Sequence, residues 1–130
     1  GGKARARWRQ RWKRRRAPEG WLACRCFSDP IGETRLVAMK VPLDATFRVA
    51  PRFAFGLQRF LSAQQALHQK VGLVIDLTFT DKYYNASVEL EGTDVEYMKI
   101  REPGHSSVPM RSNLELFMSR VDGFLQRRPS

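Results

Sequence analysis

Apolar residues along the chain follow two different spacings, and these spacings predict an alternation of strands and helices. Residues 72–78 (GLVIDLT) give the strongest strand signal, because an unbroken apolar run of this kind is typical of a strand covered on both faces. Residues 34–41 (TRLVAMKV) and 95–100 (VEYMKI) have the same extended character. We therefore expect three strands.

Helical spacing of apolar residues occurs in two segments. Residues 55–69 form the first predicted helix, and residues 112–127 form the second. Ser112 followed by Glu115 is a capping-box pattern, which predicts where the second helix begins. The apolar face of this helix consists of Leu114, Phe117, Met118, Val121, Phe124 and Leu125.

The remaining segments are irregular and separate these elements. Residues 18–33, 43–54 and 101–110 are rich in Pro, Gly or Asp and are predicted to be loops. The resulting order, β-α-β-β-α, is typical of an α/β domain in which helices flank a central sheet. Such a fold would continue with another central strand after the last helix, so we expect residues 18–130 to be an incomplete domain.

The composition supports a single folded domain. The chain has 130 residues, of which 42% are hydrophobic and 14 are aromatic, and this content excludes a fully disordered chain. No apolar run approaches the length of a membrane span, so no membrane association is expected. Cys24 and Cys26 do not have the spacing of zinc ligands, and we interpret both as reduced cysteines. No metal or other cofactor is expected.

The net charge of +10 is concentrated at one end of the chain. Residues 1–17 contain nine basic residues and no acidic one, whereas the other 113 residues carry 14 basic and 13 acidic residues. We expect residues 1–17, here called the basic arm, to be disordered. The arm residues that could pair with phosphates or stack on bases are Arg5, Arg7, Trp8, Arg9, Arg11, Trp12, Lys13, Arg14, Arg15 and Arg16.

Two interpretations of the basic arm remain open. It could bind RNA or direct import into the nucleus, because cations pair with phosphates and indoles stack on bases. It could also be a solvated tail, since basic runs are common and unspecific. We expect a nuclear location or, failing that, a cytoplasmic one.

A few polar residues follow the predicted strands and are candidates for a functional site. Asp76 lies near the carboxyl end of a buried strand, where open α/β sheets bind ligands. It could orient a cation, a water molecule or a loop. Alternatively, together with Thr78 it could cap the turn that follows, and this structural role is favoured because a single carboxylate is a weak signal.

Two further candidates lie in turns. Lys82, next to Tyr83 and Tyr84, could hold a phosphate while a tyrosine stacks on a base; the alternative is a short helical turn with tyrosine packed on the body. His105 could contact phosphate or transfer a proton. The alternative for His105 is a solvated or hydrogen-bonded loop residue.

Three stretches carry a more specific pattern. They are GETRLVAMKVPL at 32–43, GLVIDLTFT with KYY at 72–84, and YMKI with a following Gly-His and Pro at 97–109; Trp21 precedes them. In order and spacing they resemble the RNA 5′-phosphatases of the cysteine-phosphatase superfamily. That family includes the RNA triphosphatase domain of animal mRNA capping enzymes and an atypical dual-specificity phosphatase that acts on RNA 5′ ends.

The resemblance implies metal-independent removal of phosphate from RNA 5′-triphosphate or 5′-diphosphate ends, so RNA 5′ ends are the implied partner. In this family a Cys thiolate in a His-Cys-x5-Arg-Thr-Gly loop attacks phosphorus and forms a phospho-cysteine. Neither cysteine of this chain matches, because Cys24 is followed at the required spacing by Pro30 and Cys26 by Gly32. The family loop comes after a strand that follows the last predicted helix. We therefore expect an N-terminal half of the domain that is inactive as given.

The resemblance also assigns positions on the substrate side. Asp76 matches a family aspartate beside the phosphate pocket, and Lys99 and His105 match positions that flank the same cleft. With these, Thr78, Lys82 and Tyr83 complete the candidate set. Residues 106–112 lack the acidic residues found around this loop in the family, so no general acid is assigned there.

Two rival functions remain. The chain could be a non-catalytic RNA-binding module that acts through the basic arm, or half of a dual-specificity protein phosphatase. Without the missing strand and helices, residues 73–75 would form a hydrophobic sheet edge, which is prone to aggregation. We expect the missing C-terminal half or a partner protein to cover that edge.

Overall fold

The computed structural model describes residues 15–103 and 109–128. Its regular elements within these residues are short strands, three α-helices and one 3-10 turn at Pro51–Phe53. The strands are β1 Arg15–Arg16, β2 Phe47–Arg48, β3 Leu73–Asp76 and β4 Glu96–Lys99, and the helices are α1 Leu57–Ala66, α2 Ala86–Glu89 and α3 Arg111–Arg127. The chain divides into two compact units, Gly1–Ala63 and Gln64–Ser130, which are described separately.

The first unit is built on an aromatic core. Its buried apolar residues are Trp21, Leu43, Phe47, Phe55, Leu57 and Phe60. The ring of Phe60 packs edge-on against Phe27 at 5.7 Å and against Phe55 at 6.2 Å, an arrangement that aromatic rings prefer. Helix α1 supplies Leu57 and Phe60 to this core, so the expected helix in residues 55–69 is present and is shorter at both ends.

The end of the basic arm is ordered against this core. Strand β1 pairs in parallel with β2, and the guanidinium of Arg15 lies 4.6 Å from the ring centroid of Phe47. Arg15 also donates a hydrogen bond to Thr46 Oγ1 at 2.7 Å. These contacts, a cation–π contact among them, involve only the last residues of the arm, and the prediction of a disordered arm stays a prediction. Residues 1–14 lie outside the described residues.

The prediction of a strand at residues 34–41 is wrong. Only one isolated antiparallel bridge, between Phe27 and Met39, forms in this region. Side chains take up backbone groups that a strand ladder would use: Trp21 Nε1 donates to the carbonyl of Val41 at 2.7 Å, and Thr34 Oγ1 donates to the carbonyl of Ile31 at 2.6 Å. The Thr34 bond is local and favours a bend at the start of the segment, whereas Trp21, 20 residues away in sequence, takes up a backbone carbonyl at its end.

In the second unit, β3 and β4 form a parallel pair. The register places Val74 opposite Tyr97 and Asp76 opposite Lys99. The strands expected at 72–78 and 95–100 are thus present in their central residues. Val74 and Asp76 are buried on one face, whereas Leu73 and Ile75 on the other face are only half-buried. The strand is therefore less covered than its apolar run predicted.

Helix α3 is present where it was expected, but the prediction of a capping box at Ser112 and Glu115 is wrong. The helix starts one residue earlier, at Arg111, so Ser112 lies inside it and caps nothing. The backbone N–H of Met110 instead donates to Glu102 Oε1 at 3.0 Å. Glu115 accepts from Arg111 Nε at 3.1 Å, one turn away. A carboxylate from the preceding segment therefore replaces the local cap.

The mixed α/β class is correct, but the exact order β-α-β-β-α is not reproduced. The first predicted strand is missing, β1 and β2 are additional, and α2 separates β3 from β4. Short strands of two residues carry no hydrophobic period that a sequence pattern could reveal.

Candidate functional site

The site is centred on the carboxylate of Asp76, at the carboxyl end of β3. Its Oδ1 atom accepts hydrogen bonds from the backbone N–H of Thr78 at 2.8 Å and from Thr78 Oγ1 at 2.7 Å. Its Oδ2 atom accepts from the hydroxyl groups of Tyr84 at 2.7 Å and Tyr97 at 3.1 Å. Both oxygens of this buried carboxylate are therefore fully engaged.

Lys99 brings a positive charge to the same cluster from the end of β4. Its Nζ atom donates to Thr78 Oγ1 at 2.8 Å and to the carbonyl of Thr80 at 2.6 Å. It also lies 3.3 Å from Asp76 Oδ1, and its side chain is only 14% exposed. The parallel pairing brings Asp76 and Lys99 together, because residues opposite each other at the ends of β3 and β4 point to the same face of the sheet.

A second ion pair extends the cluster towards solvent. Arg101 donates to Asp81 through Nη2 and to the carbonyl of Phe79 through Nη1, and Lys99 Nζ is 3.7 Å from Asp81 Oδ1. The hydrogen bond from Arg101 lowers the pKa of Asp81 below its ordinary value. Residues 77–82, here called the β3 turn, are thus fastened to the end of β4.

The pKa values show which groups hold their protons. Burial raises the pKa of Asp76, but hydrogen bonds from Thr78 and Tyr84 and the charge of Lys99 lower it more, so the net pKa lies below its ordinary value. Burial and the bond to Asp76 raise the pKa of the Tyr84 hydroxyl well above its ordinary value. Burial likewise raises the pKa of Tyr97 to about 12. Asp76 is therefore an ionised acceptor and both tyrosines are donors.

This geometry favours the structural role for Asp76. A carboxylate with two donors on each oxygen has no unused position for a ligand, and it holds the backbone of the β3 turn through Thr78. Asp76 and Lys99 therefore hold the β3 turn against the ends of β3 and β4.

Of the sequence-predicted residues, the structure brings together Asp76, Thr78 and Lys99. Lys82 is the last residue of the β3 turn, and Tyr83 follows it. The Nζ atom of Lys82 lies 5.4 Å from the ring centroid of Tyr83. Lys82 is exposed and Tyr83 is half-buried. His105 lies outside the described residues, as do the arm residues before Arg15.

Tyr84 was considered in the sequence only as a ring that stacks on a base or packs on the body, and the structure places its hydroxyl against Asp76. Three further residues of the cluster were not predicted from the sequence: Tyr97, Asp81 and Arg101. Tyr97 stands in a stretch that carries the family resemblance, and that signal could have selected it. Asp81 and Arg101 become partners only through the register of β3 and β4.

Among residues 15–103 and 109–128, no three His, Cys, Asp or Glu side chains come together as metal ligands. In the same part of the chain, no helix has the length and apolar character needed to cross a membrane.

Comparison with known proteins identifies relatives of this chain. No family model matches it. It is 32% identical over 115 residues to the RNA/RNP complex-1-interacting phosphatase homolog of Caenorhabditis elegans, an alignment that covers 85% of this chain and 49% of that protein. It is 27% identical over 114 residues to the mRNA-capping enzyme of Mus musculus, covering 86% of this chain and 19% of that enzyme.

A viral protein is also similar. The putative tyrosine-protein phosphatase 1 of Orgyia pseudotsugata multicapsid polyhedrosis virus is 33% identical over 114 residues, covering 87% of this chain and 50% of the viral protein. The chain thus spans half or less of the length of these relatives. It is thus homologous to two proteins named as phosphatases and to an mRNA-capping enzyme, which confirms the resemblance found in the sequence.

Proposed function

We propose that residues 18–128 form the substrate-side part of an RNA 5′-phosphatase domain, one that removes phosphate from 5′-triphosphate or 5′-diphosphate ends through a phospho-cysteine. The observation that carries this proposal is the Asp76–Lys99 cluster at the carboxyl ends of β3 and β4. Ligands of open α/β sheets bind at this edge. The relatives named for RNA/RNP interaction and for mRNA capping favour an RNA substrate.

In this proposal the β3 turn faces the 5′ end of the RNA. Lys82 is exposed in that turn and would contact the phosphates as a point charge. Lys99 would act indirectly, because its ammonium already donates to Thr78 and Thr80. Asp76 holds the turn in place, and its own charge is neutralised by Lys99.

The binding test compares two RNAs of the same sequence, one with a 5′-triphosphate and one with a 5′-hydroxyl. We expect the full chain to bind the triphosphate form more tightly. Lys82→Gln should reduce this preference, whereas the matched control Lys70→Gln should keep it, because Lys70 pairs with Asp94 on the exposed surface away from the turn. Equal affinity for both RNAs would overturn the proposal.

We also propose that these 130 residues have no phosphatase activity by themselves. Neither Cys24 nor Cys26 has the loop that lowers a thiol pKa and binds phosphate: no Arg follows at the family spacing, and both thiols are exposed. The test is phosphate release from 5′-triphosphorylated RNA by the purified chain. Release above the rate of a Cys24→Ser, Cys26→Ser double variant would contradict the proposal.

A phosphoprotein substrate is the second candidate, favoured by the viral relative named as a putative tyrosine phosphatase. It predicts that a phosphotyrosine peptide competes with RNA for the β3 turn. Competition by the peptide at lower concentration than by triphosphorylated RNA would favour this function over the first.

The basic arm is proposed to add unspecific affinity for RNA and to favour a nuclear location. Binding through the arm should weaken steeply with salt, because phosphate contacts release counterions. Replacing Arg5, Arg7 and Arg9 with Gln should therefore flatten the dependence of the binding constant on salt. The same variant, fused to a fluorescent protein, tests the cellular location. If it accumulates in the nucleus as the unsubstituted chain does, the proposal that the arm favours a nuclear location is overturned.

We further propose that the rest of a longer phosphatase domain covers the edge of β3 that faces away from β4. Among the described residues β3 pairs only with β4, and the relatives are at least about twice as long as their match to this chain. A separate partner protein is the alternative. In the parallel register the amides of Val74 and Asp76 point to β4, so the Ile75 amide points to the edge in question. Hydrogen exchange of the Ile75 amide should be slower in a longer form of the protein than in this chain, and equal exchange in both would overturn the proposal.

A further inference from the structure

An open cleft lies between α2 and β4 in the second unit, next to the Asp76 cluster. Its volume is about 480 Å³, within the range of roughly 300–1,000 Å³ that is typical of small-molecule sites. Tyr84, Leu90, Val95 and Tyr97 supply aromatic and apolar walls, and Ser87 and Asp81 add polar atoms.

The lining favours a flat, uncharged ligand over a phosphate. No Lys or Arg belongs to the described residues that line the cleft. Asp81, the one acidic residue there, already pairs with Arg101. A phosphate would therefore meet no cation of its own in this cleft, whereas an aromatic ring would meet apolar walls and hydrogen-bonding groups.

The wall formed by Tyr97 is held in position before any ligand binds. The side chain is 37% exposed, its hydroxyl donates to Asp76, and its ring packs edge-on against Tyr84 with centroids 6.4 Å apart. A ring fixed at both its edge and its hydroxyl loses little freedom when a second ring stacks on it. Stacking on such rings is how proteins bind single-stranded RNA without reading its sequence.

We propose that this cleft binds a nucleobase of the RNA, stacked against Tyr97, close to the 5′ end held by the β3 turn. The inference rests on the proposed function for its RNA ligand. Its own support is the shared residue: Tyr97 lines the cleft and also bonds to Asp76, which fixes the turn. The base and the 5′ phosphates would thus be bound by adjacent parts of one unit.

The test measures binding of the full chain to a 5′-hydroxyl RNA hexamer and to the same hexamer with abasic positions near its 5′ end. Both oligomers carry the same backbone charge, so the phosphate contacts of the basic arm contribute equally to both, and the variants below separate stacking in the cleft from stacking on the tryptophans of the arm. We expect the abasic hexamer to bind at least ~10-fold more weakly, as for the loss of a base–aromatic stack. Equal affinity for the two hexamers would overturn the proposal.

Variants locate the effect. Ser87→Trp, which fills the cleft from an exposed position, and Tyr97→Leu, which removes the ring, should each weaken binding of the intact hexamer at least ~10-fold and leave the abasic hexamer unaffected. Tyr97→Phe keeps the ring and should retain tight binding. The matched control Ser119→Trp, on an exposed position of α3, should bind as the unsubstituted chain does.

The outcomes separate this inference from the proposed function. If Ser87→Trp and Ser119→Trp bind the intact hexamer equally, the cleft is not the base site and the inference is wrong. If the cleft variants lose base-dependent binding while the unsubstituted chain fails to prefer a 5′-triphosphate, the cleft is supported and the 5′-phosphatase proposal is overturned.

Discussion

The side chain of Asp76 is 5% exposed, and the burial of its carboxylate has to be offset by its partners. Leaving a charged group buried and unpaired costs several kcal/mol. Four hydrogen bonds from Thr78, Tyr84 and Tyr97, with the charge of Lys99 at 3.3 Å, provide this compensation. The residue therefore determines both the shape of the β3 turn and the orientation of two tyrosines.

Replacing this carboxylate should destabilise the second unit. In Asp76→Asn an amide N–H₂ takes the place of an acceptor that faces hydroxyl donors, and Lys99 loses its buried counter-charge. We expect the free energy of unfolding to fall by about 2–4 kcal/mol. All three tyrosines lie in this unit, so urea unfolding can be followed by their near-ultraviolet circular dichroism. Asp94→Asn, which breaks the exposed pair with Lys70, is the control and should lower the urea midpoint far less, because exposed ion pairs contribute little.

The lowered pKa of Asp76 predicts how stability depends on acid. The folded pKa lies below the ordinary value of 3.8, so the folded state binds this proton more weakly than the unfolded state. The contribution of Asp76 is therefore complete above the unfolded pKa and is lost as the pH falls through the folded pKa. Urea midpoints should decrease below about pH 4. Asp76→Asn should show a shallower decrease, with the remainder due to Asp81 and Asp94, whose pKa values are also lowered; an unchanged slope would be evidence against this linkage.

Helix α3 approaches β3 closely where Gly72 precedes the strand. A Cβ atom on Gly72 would lie 2.5 Å from Cζ of Phe124, a buried residue of α3. Gly72→Ala therefore has to displace a packed ring, and we expect a loss of about 1–3 kcal/mol in stability. Gly123 lies in the same helix with nothing within 4 Å of its Cβ position. Gly123→Ala should thus stabilise the unit by about 0.5–1 kcal/mol, and thermal unfolding that moved both variants in the same direction would contradict this packing.

The start of α3 offers a second test at the level of single elements. Glu102 accepts from the backbone N–H of Met110 at 3.0 Å and from Asn113 Nδ2 at 2.7 Å. Glu102→Ala should therefore cost about 1 kcal/mol, as the loss of a helix cap does. Ser112→Ala should be neutral or slightly stabilising, because Ser112 makes no cap bond and Ala has the higher helix propensity. Urea midpoints of the two variants decide between the cap in the structure and the capping box that the sequence predicted.

For the chain as a whole, exposed apolar side chains predict self-association. Leu114 and Met118 lie one turn apart on α3 and are 47% and 57% exposed. Apolar side chains on the same face of a helix drive association when no other part of the protein covers them. Sedimentation of the chain at micromolar concentration should therefore reveal oligomers, and the double variant Leu114→Gln, Met118→Gln should reduce them. The control pair Leu22→Gln, Ile31→Gln changes exposed residues of the first unit and should have less effect, whereas a monomeric, cooperatively melting chain would refute the prediction.

The sequence alone was sufficient for α1, β3, β4 and α3. Each has a hydrophobic period or an apolar run long enough to outweigh local alternatives. The resemblance of residues 72–84 and 97–109 to RNA 5′-phosphatases also came from the sequence, and the relatives confirm it. Asp76, Thr78 and Lys99 were selected in the same way, although the sequence left the role of Asp76 open.

Three-dimensional packing decided the rest, because it depends on residues distant along the chain. Arg15 contacts the ring of Phe47, Trp21 takes up the carbonyl of Val41 at the end of residues 34–41, and Glu102 caps α3 in place of Ser112. The register of β3 against β4 determines the partners of Asp76. A shift of this register by one residue would turn Tyr97 and Lys99 to the opposite face of the sheet. Periodicity predicts which face of a strand is buried, but the register between strands comes from the summed packing of both.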